Sequence, residues 1–453
     1  MTTFWTLDRV AAALAGHALG ALPRGSAPLT GISTDTRQLA PGNVFVALAG
    51  ERFDAHDFLP EAVARGAAAL VLSRPERGAH LGVPVFGVDD TLAALAALAR
   101  FWRCAWGGTV IGVGGSNGKT TTKELIRAAL GSVLEVHATE GNLNNLVGVP
   151  LTLLAIPGSA DVAVVEMGMN VPGEMERLRA AAEPDIAVIT CIAEEHLEGL
   201  GSLEGVMREE SILFDGARVA VIPAAQPEVA RAAAGRAARV VSAGLESGDV
   251  RAARWGLERD GMAWLELDGV VVRPPVRGVH NLRNTMLALA VARECGVSVA
   301  DAARGLAGAT IPGMRLAWES LGAATLINDA YNASPASMRA ALDLLAGLDG
   351  GRQRVAVLGT MRELGTHAAR LHDEIARHAL ATPVDVIAAI GEMGDALRAA
   401  GATDPRVITA PDIDTLWPAL EPRLARDSII LLKASRGVKL ERLVPVLTAW
   451  ANR

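Results

Sequence analysis

The fold of this chain is decided by one stretch of its sequence, Gly112-Val113-Gly114-Gly115-Ser116-Asn117-Gly118-Lys119-Thr120-Thr121. The apolar run Val110–Val113 predicts a buried strand before the turn, and a helix is predicted to begin near Thr120. A glycine-rich turn between strand and helix lets backbone N–H groups converge on phosphate oxygens at the helix N-terminus. Lys119 would supply a charge for the terminal phosphates and Thr120 a hydroxyl for Mg²⁺, so the stretch predicts a phosphate-binding loop.

This loop differs from the strict phosphate-loop pattern, which has glycine five residues before Gly118, where this chain has Val113. The alternative interpretation is a glycine-rich turn that binds nothing. Gly-Lys-Thr at the start of a helix, directly after a buried strand, favours nucleotide binding instead. We therefore predict contacts to ATP from Gly115, Ser116, Asn117, Gly118, Lys119, Thr120 and Thr121. The helix after the loop is predicted to bury one apolar face, formed by Leu125, Ile126, Ala129, Leu130 and Val133.

The length and charge of the chain limit the classes of protein to which it can belong. A chain of 453 residues exceeds what one hydrophobic core usually supports, so we expect about two to four domains, with three as the central estimate. The net charge of -7 and the lack of any long block of Lys or Arg argue against a nucleic-acid partner. Any phosphate must therefore be held by a local site.

The cysteines are widely spaced, with no paired metal-binding or disulfide pattern, so they suit a reducing compartment and are predicted to fill the core. They are Cys104, Cys191 and Cys295. The stretch Met1–Leu19 carries charged residues inside its apolar pattern and lacks the basic start of a signal peptide. The sequence has no run of about 18 uncharged apolar residues, so we expect no membrane span and a cytoplasmic location.

Apolar periodicity divides the chain into three α/β regions. Residues 1–90 are predicted to form a small α/β domain, residues 91–313 a central domain with a parallel mononucleotide-binding sheet, and residues 314–453 a Rossmann-like, doubly wound domain. In the first region we expect a helix near Leu7–Ala15 and strands at Val44–Leu48 and Ala68–Leu72. In the third we expect strands near Thr325–Ile327, Val355–Leu358, Val386–Ile390 and Ile429–Leu432.

The central region has its own predicted order of elements. A helix at Leu92–Trp106 leads into the first strand, and the apolar runs Val162–Val165 and Ile186–Ile192 are typical of parallel strands covered on both faces. The stretch Arg251–Val276 alternates short apolar runs with Gly and Pro, which predicts a small antiparallel excursion. A helix at Asn281–Glu294 then closes the region.

Two polar side chains follow neighbouring strands of the predicted central sheet. Glu166 comes after Val162–Val165, and His196 follows Ile186–Ile192 within Ala-Glu-Glu-His-Leu-Glu-Gly. Ligands of open α/β sheets bind at this edge, and transfer of phosphate to a carboxylate needs cations between two anions. We predict that both residues help to bind Mg²⁺ or Mn²⁺. The alternatives are a solvated loop acid for Glu166 and a partly buried histidine without a ligand for His196.

Several motifs together resemble the Mur ligase family, over most of the chain. The loop Gly114–Thr121 is similar to that of the Mur ligase and folylpolyglutamate synthase superfamily rather than to that of small GTPases or motor proteins. The further matching segments are Ser33–Arg37, Phe45–Leu48, Gly141–Asn145, Gly148–Thr152, Gly278–Asn284, Pro312–Arg315, Asp329–Met338, Leu358–Gly365 with His372, and Lys433–Gly437. Asp329–Met338 and Leu358–Gly365 resemble the branch of the family that adds D-alanyl-D-alanine.

The resemblance implies an ATP-dependent ligase that requires Mg²⁺ (or Mn²⁺). Such a ligase joins D-alanyl-D-alanine to UDP-N-acetylmuramoyl-tripeptide through an acyl phosphate, in peptidoglycan precursor synthesis. A monomer is expected, with no nucleic-acid partner and no membrane span. Closure of the third domain is expected to assemble the site, and the implied catalytic residues are Lys119, Glu166, His196 and Glu210.

Glu210 has a special place in this comparison. In the family, the segment after the histidine supplies a lysine that CO₂ carbamylates, and the carbamate helps to hold a second metal. In this chain the matching position is Glu210. We therefore hypothesise that Glu210 replaces the carbamate with a permanent carboxylate, with Glu209 as the fallback. An acid on the surface of a helix is the alternative.

The resemblance also implies the remaining contacts to ATP and to the substrates. Asn281 and Asn284 would bind adenine, Arg315 would reach the ATP phosphates on closure, and Asp329 would bind the ribose. Asn281 is equally explained as a helix cap, and Arg315 as a surface arginine. The implied substrate residues are Ser33, Thr34, Asp35, Thr139, Asn142, Asn144, Asn145, Asn332 and Ser334. The family commonly has Asn at position 334 and Asp at position 360, where this chain has Ser and Thr.

Three other functions compete with this interpretation. The Mur ligase that adds the third amino acid shares the architecture, but it normally carries an Asp-Asn-Pro-Arg acceptor motif that this sequence lacks. Folylpolyglutamate synthase lacks the long first domain. From another class, the chain could be a nucleotide-gated binding protein that uses the loop without ligation.

Overall fold

The computed structural model describes residues 4–50, 53–348 and 351–453, which form three α/β units and a small antiparallel sheet. In the first unit, parallel strands pair in the order β1-β2-β3-β4. These strands are β1 (Gly31–Ser33), β2 (Asn43–Val46), β3 (Ala69–Leu72) and β4 (Val85–Gly87). The helices are α1 (Leu7–Ala13), α2 (Leu59–Ala64) and α3 (Thr91–Trp106). The predicted small α/β domain is therefore present.

The central unit is built on a parallel sheet whose first strand in the chain lies in its interior. Its strands are β5 (Thr109–Gly114), β6 (Val136–Ala138), β7 (Val162–Glu166), β8 (Ile186–Ile189), β9 (Val219–Pro223), β10 (Val240–Gly244) and β11 (Val250–Arg251). They pair in the order β11-β10-β9-β8-β5-β7-β6. Every residue of β7, β8 and β9 is buried, which explains their uninterrupted apolar sequences.

Helices cover both faces of the central sheet. They are α4 (Lys119–Leu130), α5 (Gly148–Leu154), α6 (Glu174–Ala182), α7 (Leu197–Leu200), α8 (Leu203–Glu210), α9 (Pro227–Ala233), α10 (Val279–Glu294) and α11 (Val299–Ala307). Before α10 the chain forms the predicted antiparallel excursion, with strands β12 (Arg254–Leu257), β13 (Ala263–Leu267) and β14 (Val270–Val272). Helix α3 contacts α1 as well as α5 and α6, so it lies at the junction of the first and central units.

The third unit is a second, doubly wound sheet, as the sequence predicts. Its strands are β15 (Ala317–Leu321), β16 (Ala324–Asn328), β17 (Arg354–Leu358), β18 (Val386–Ile390), β19 (Val407–Ala410) and β20 (Ile429–Lys433). They pair in the order β15-β16-β20-β17-β18-β19, with only β15 antiparallel within the described residues. The helices are α12 (Pro335–Ala346), α13 (Ala368–Ala381), α14 (Gly391–Gly401), α15 (Ile413–Leu420) and α16 (Leu443–Ala451).

Several boundaries differ from the sequence-based expectations. Strand β8 ends at Ile189 rather than Ile192: Thr190 still donates its N–H to the last carbonyl of β5, and its hydroxyl turns to the phosphate loop. Helix α4 ends before Val133, which is 52% exposed and not part of the apolar face. Asp329 follows the second strand of the third sheet, not its first, because β15 precedes it as an antiparallel edge.

The cysteines were wrongly predicted to fill the core. Cys104 is exposed, and Cys191 and Cys295 are only partly buried. All three are free thiols. The predicted domain boundaries after residues 90 and 313 stay predictions, although the sheets begin and end on either side of them.

The apolar core of the central unit continues into the third. One cluster of buried side chains contains residues beneath the central sheet together with Met361 and Leu364 of the third unit. Leu197 and Leu200 of α7 belong to the same cluster, and α7 contacts the 3₁₀ turn Gly365–His367. The two units therefore pack against each other beside the segment that contains His196. Of the helices that the structure describes, none combines the length and apolar character needed to span a bilayer.

Candidate nucleotide and phosphoryl-transfer site

The glycine-rich turn lies at the carboxyl edge of the central sheet, where β5 is flanked by β8 and β7. Gly115 begins the turn with φ +110°, a conformation that L side chains rarely adopt. A Cβ atom there would lie 2.3 Å from the Thr190 Oγ1 atom, so only glycine fits this position. The Gly115 N–H donates to Glu210 Oε2 at 2.8 Å. This glycine therefore fixes the shape of the loop, and its own N–H is engaged.

The next two residues tie the loop to the chain that follows β8. The Ser116 N–H donates to the carbonyl of Cys191 at 2.7 Å, and Ser116 Oγ bonds both the N–H and the carbonyl of Ala193. The carbonyl of Asn117 accepts from Thr190 Oγ1 at 2.6 Å. These hydrogen bonds fix the side of the loop that faces the chain after β8, and a ligand would bind on the opposite side.

Free backbone donors follow directly. The N–H groups of Gly118, Lys119, Thr120 and Thr121 have no acceptor among the residues described. They begin α4, whose dipole places partial positive charge at this end. The Lys119 side chain bends back, and its Nζ donates to the Gly115 carbonyl at 2.6 Å. This arrangement matches the predicted phosphate cradle, with a lysine at its centre.

Carboxylates surround this lysine. Burial disfavours the charged form of Lys119, but Glu195, Glu210 and Glu166 outweigh that effect and hold its pKa above the ordinary value. The Glu195 Oε2 atom lies 3.8 Å from Lys119 Nζ, and both side chains are largely buried. The three neighbouring acids therefore keep Lys119 in its charged form.

Glu166, a predicted metal ligand, contacts Asn144 and Thr139, which were predicted to bind the substrate. Asn144 Nδ2 donates to Glu166 Oε1 at 2.8 Å, and Thr139 Oγ1 accepts from the Glu166 N–H at 2.9 Å. The Thr139 carbonyl accepts from Lys123 Nζ, and this lysine is 1% exposed. Glu166 Oε2 is buried and accepts no hydrogen bond from any described residue. The contacts fix the Glu166 carboxylate and leave one oxygen available.

Glu210 and Glu209 have separate roles. Glu210 is fully buried beneath the loop, where burial raises its pKa to about 7 despite the nearby Lys119. Its Oε1 atom finds no partner in the described part of the chain. Glu209 instead accepts from the N–H groups of Gly173 and Met175 at the start of α6. A surface position is therefore wrong for Glu210, and Glu209 is engaged as a helix cap.

His196 adopts a left-handed backbone conformation, with φ +48°, at the start of α7. Its Nδ1 atom lies 2.6 Å from Glu363 Oε2, and its Nε2 atom lies 3.7 Å from Glu195 Oε2. Burial works against the imidazolium, but the bond to Glu363 and the charge of Glu195 raise the pKa of His196. The ring is therefore held between two acids, one from its own unit and one from the third unit.

The donor chemistry of these residues fits a hard cation. Glu166, Glu195 and Glu210 each have a buried oxygen without a partner among the described residues, and all three raise the pKa of Lys119. Carboxylate and hydroxyl oxygens are the ligands that Mg²⁺ prefers. No group of three His, Cys, Asp or Glu side chains forms a ready metal cage in residues 4–50, 53–348 and 351–453. Mg²⁺ usually takes few protein ligands and completes its shell with phosphates and water. The residues present therefore suit a metal that binds together with a nucleotide.

The predicted adenine residues lie beside the loop. Asn284 Nδ2 donates to Asn281 Oδ1 at 3.2 Å, and Asn281 Nδ2 donates to the Arg277 carbonyl. A Cβ atom on Gly118 would lie 2.8 Å from Asn284 Nδ2. Asn284 thus packs against the phosphate loop rather than capping the helix, and Asn281 orients it.

The predicted ATP residues of the third unit, Arg315 and Asp329, are held by contacts within that unit. The Arg315 guanidinium stacks on the ring of Tyr331, 3.7 Å from its centroid. Asp329 is mostly buried and accepts from Lys433 Nζ at 2.6 Å and from the Leu316 N–H at 3.0 Å. Burial raises the pKa of Asp329, and Lys433 opposes that shift. Arg315 is therefore packed on an aromatic ring of its own unit rather than free in solvent.

Ser334 makes a direct contact with the phosphate loop. Its Oγ caps α12 and also donates to Asn117 Oδ1 at 2.8 Å. Asn332 is exposed, and its side chain bonds only to the N–H of Ala333 within the described residues. Of the two predicted acceptor contacts, Ser334 is at the loop, whereas Asn332 lies at the surface.

The predicted substrate residues of the first unit form a separate cluster. Ser33 Oγ bonds the backbone of Asp35, and the Asp35 carboxylate is held by Arg37 at 2.7 Å. Thr34 between them is half-buried. In the central unit Asn142 is exposed, whereas Asn145 caps α5 through bonds to two backbone N–H groups. Asn145 therefore has a structural role of its own.

Two residues of the site were missed. Glu195 and Glu363 both stand inside motifs that the sequence analysis quotes, but neither was given a role. For Glu195 the signal was a second acid directly before the predicted metal histidine. For Glu363 the sequence offers no signal, because its partner lies in another domain.

Comparisons with known proteins cover nearly the whole chain. Family models match residues 28–103 (Mur ligase family, catalytic domain), 113–292 (Mur ligase middle domain) and 314–436 (Mur ligase, glutamate ligase domain). The UDP-N-acetylmuramoyl-tripeptide--D-alanyl-D-alanine ligase of Bacillus subtilis is 38% identical over 424 residues, which are 91% of this chain and 92% of that protein.

Solved structures share the fold over the same extent. A crystal structure of MurF from Acinetobacter baumannii has a TM-score of 0.88 and 31% identity, covering 98% of this chain and 99% of that one. MurF ligase from Thermotoga maritima in complex with ADP has a TM-score of 0.83 and 27% identity, covering 93% and 97%. A phosphate loop, neighbouring acids and three matching domain models agree: this chain belongs to the Mur ligase family.

Proposed function

We propose that this protein is an ATP-dependent carboxylate–amine ligase that adds D-alanyl-D-alanine to UDP-N-acetylmuramoyl-tripeptide during peptidoglycan precursor synthesis. The observation that carries the proposal is the charge interaction of Lys119, which begins α4 beside free N–H groups, with Glu166, Glu210 and His196. The choice of substrates is supported by relatives that are named UDP-N-acetylmuramoyl-tripeptide--D-alanyl-D-alanine ligase. The reaction consumes ATP, and we assign it to the cytoplasm.

The chemistry proceeds in two balanced steps. A carboxylate oxygen of the tripeptide attacks the γ-phosphorus of ATP, and ADP leaves. The amine of D-alanyl-D-alanine then attacks the acyl carbon, phosphate leaves, and the nitrogen releases a proton as the amide forms. Lys119 and the free N–H groups of α4 neutralise and orient the phosphates in the first step.

Thr120, Glu166, His196 and Glu210 are the residues that would hold Mg²⁺. The metal would neutralise charge between the phosphate and the attacking carboxylate. Asn144 and Thr139 keep Glu166 in position through its other oxygen and its backbone N–H. Gly115 does the same for Glu210. Each acid thus keeps one oxygen available, which is what a ligand-accepting carboxylate requires.

Glu210 serves in place of a carbamylated lysine in this proposal. Its carboxylate is fully buried beneath the loop and has an unpartnered oxygen among the described residues. A permanent carboxylate needs no CO₂, so the activity is expected to be the same in CO₂-depleted buffer and with added bicarbonate. Glu210→Ala is expected to lose activity, and bicarbonate is expected not to restore it. A bicarbonate response of the native enzyme would contradict this assignment.

The remaining assignments concern ligand contacts and domains. Residues 1–90 would hold the UDP-sugar through Ser33, Thr34 and Asp35, and Asn142, Asn144 and Asn145 would lie near the muramoyl end. Residues 91–313 would bind MgATP with the loop, Asn281 and Asn284, and Arg315 and Asp329 of the third domain would add contacts to ATP. Residues 314–453 would bring the dipeptide to Asn332 and Ser334. The enzyme would act as a monomer.

A substrate panel tests the function. Phosphate release is measured with ATP and with every combination of UDP-muramoyl-tripeptide, UDP-muramoyl-dipeptide, D-alanyl-D-alanine and single amino acids. Turnover that needs both the tripeptide and D-alanyl-D-alanine is expected. Turnover with the UDP-muramoyl-dipeptide and one amino acid would instead identify the ligase that adds the third residue. An ATP hydrolysis rate that none of these substrates changes would instead support a nucleotide-gated binding protein.

A further inference from the structure

His196 is held by an acid that lies 167 positions later in the chain and in another structural unit. The contact joins His196 Nδ1 to Glu363 Oε2 at 2.6 Å. Beside it, the Glu198 N–H donates to the Glu363 carbonyl at 3.1 Å. One residue of the third unit therefore binds the start of α7 through both its side chain and its backbone.

Both partners have unusual backbone conformations. His196 has φ +48° and Glu363 has φ +64°, in the left-handed region that non-glycine residues rarely adopt. Such conformations persist only where surrounding contacts enforce them, and they cluster at functional sites. The side chains of His196 and Glu363 are 17% and 58% exposed, so their ion pair contributes little stability by itself. The contact is therefore better explained as a means of orienting the His196 ring than as a contribution to the stability of the fold.

The contact fixes which nitrogen of His196 carries the proton. An ionised carboxylate can only accept a hydrogen bond, so Nδ1 donates to Glu363. In the neutral ring Nε2 then keeps its lone pair, and it faces Glu195, 3.7 Å away, on the side of Lys119. Histidines that act as ligands commonly have their second nitrogen held by a carboxylate in this way.

The segment around Glu363 lies along α7. Gly365 has φ +54°, and a Cβ atom there would lie 3.1 Å from the Glu198 Cα atom. His367 Nε2 is 3.0 Å from the Gly201 carbonyl. The Glu363 carboxylate is thus delivered to His196 only when the third unit is packed on the central one.

We propose that Glu363 is a positioning residue: docking of the third domain sets the tautomer and orientation of His196, so that Nε2 is presented to the phosphoryl-transfer site. The inference rests on the proposed function only in taking that site to be the reacting centre. In this proposal, the packing of the two domains determines whether the Nε2 atom of His196 is deprotonated and oriented to bind a ligand.

The direct test reads the tautomer. Protein labelled with ¹⁵N-histidine is observed by long-range ¹H–¹⁵N NMR at alkaline pH without metal, and the His196 signals are assigned with His196→Gln. The native protein is expected to carry the proton on Nδ1. Glu363→Ala is expected to shift the population towards the Nε2–H form, whereas Glu363→Gln keeps an acceptor and the native tautomer. Identical His196 spectra in the native and Glu363→Ala proteins would overturn the proposal.

Kinetics give the second readout, with Arg370→Gln as the matched control. Arg370 makes another pair between the same units, to Glu194, without touching His196. Glu363→Ala is expected to lower kcat about 10- to 100-fold, with a smaller change in the KM for ATP, and Glu363→Gln to recover most of the loss. If Arg370→Gln loses as much as Glu363→Ala, the contact is only structural and the proposal fails.

The two readouts separate this proposal from the proposed function. A tautomer change in a protein that does not ligate the predicted substrates would leave the inference standing and reject the function. Ligation of those substrates with no difference between Glu363→Ala and Arg370→Gln would do the reverse. Small-angle scattering of each variant shows whether the domains remain docked, so a loss caused by undocking is recognised.

Discussion

At the scale of single residues, the site is an excess of buried acids around one lysine. Glu166, Glu195 and Glu210 all raise the pKa of Lys119, and each of the three has an oxygen without a partner among the described residues. Burying carboxylates is costly unless a cation or hydrogen bonds compensate. The arrangement of acids therefore suits the binding of cations and phosphates better than it suits the stability of the fold.

Lys119 is expected to be essential for turnover. Lys119→Ala removes the charge that faces the transferred phosphate, and we expect kcat to fall roughly 100- to 1000-fold. The exposed lysine at position 439 serves as the control, because Lys439→Ala removes the same charge outside the loop. Coupled-enzyme measurement of ADP release checks both variants. Near-native turnover by Lys119→Ala would contradict the proposed role.

The stability of the ligand-free protein is expected to depend on pH through Glu210. Its pKa rises from 4.5 to about 7 in the folded state, so the folded chain binds an extra proton between these values. The free energy of unfolding must therefore fall as the pH rises through this window, and the full cost, a few kcal/mol, is present above about pH 7.

Glu210→Gln removes this titration and keeps an oxygen for the Gly115 N–H. Urea unfolding without nucleotide is expected to show a variant more stable than the native protein at pH 8 and similar to it at pH 5. Glu209→Gln is the neighbouring control, because that side chain caps α6 and should give no such crossover. A Glu210→Gln variant that is less stable at both pH values would disprove the burial cost.

At the scale of elements, the loop depends on a close approach between the end of β5 and the chain after β8. The hydroxyl of Thr190, directly after β8, bonds the Gly114 carbonyl at the end of β5 and the Asn117 carbonyl of the loop. This approach is possible only because Gly115 has no side chain. Helix α4 then begins with its free N–H groups in a fixed position.

Gly115→Ala is expected to distort the loop. The new Cβ would clash with Thr190, and the backbone conformation is strained for alanine by about 1–3 kcal/mol. Binding of a fluorescent ATP analogue should weaken strongly, and the melting temperature should fall. Gly158→Ala is the control, because it has open space around it and no positive φ. Native affinity in Gly115→Ala would show that the loop tolerates rearrangement.

At the scale of the whole molecule, the packing of the third unit on the central unit completes the site. Ser334 reaches Asn117 of the phosphate loop, and Glu363 reaches His196. Apolar side chains such as Leu364 lie in the same cluster as those of α7. The docked arrangement is therefore supported by apolar contact as well as by polar bonds.

Gly365→Val is expected to separate the two units. A larger side chain would meet the backbone of Glu198, so close docking is blocked. Small-angle scattering should show a more extended molecule, and ligation should fall, while ATP still binds to the central unit. Gly20→Val, in open space within the first unit, is the control. Unchanged scattering and ligation would show that this contact does not limit docking.

Some elements could be predicted from the amino-acid sequence, and others could not. Strand β18 was predicted at its observed bounds, and the glycine-rich turn was predicted between a strand and a helix, as observed, because apolar runs and Gly-Lys-Thr are local signals. The edge strands β15 and β19 were missed, since short, partly exposed strands carry weak periodicity. The neighbouring acids Glu209 and Glu210 were indistinguishable in sequence, although one caps a helix and the other lies beneath the loop.

The α/β class, the glycine-rich turn between strand and helix, and the family could be predicted from the amino-acid sequence, because they depend on local patterns and motif spacing. Only the tertiary structure decided which side chains meet. The contacts of His196 with Glu363 and of Asn117 with Ser334 join residues far apart in the chain. The physical reason is that such contacts depend on the direction in which each element leaves its sheet and on how the domains pack, which periodicity does not encode.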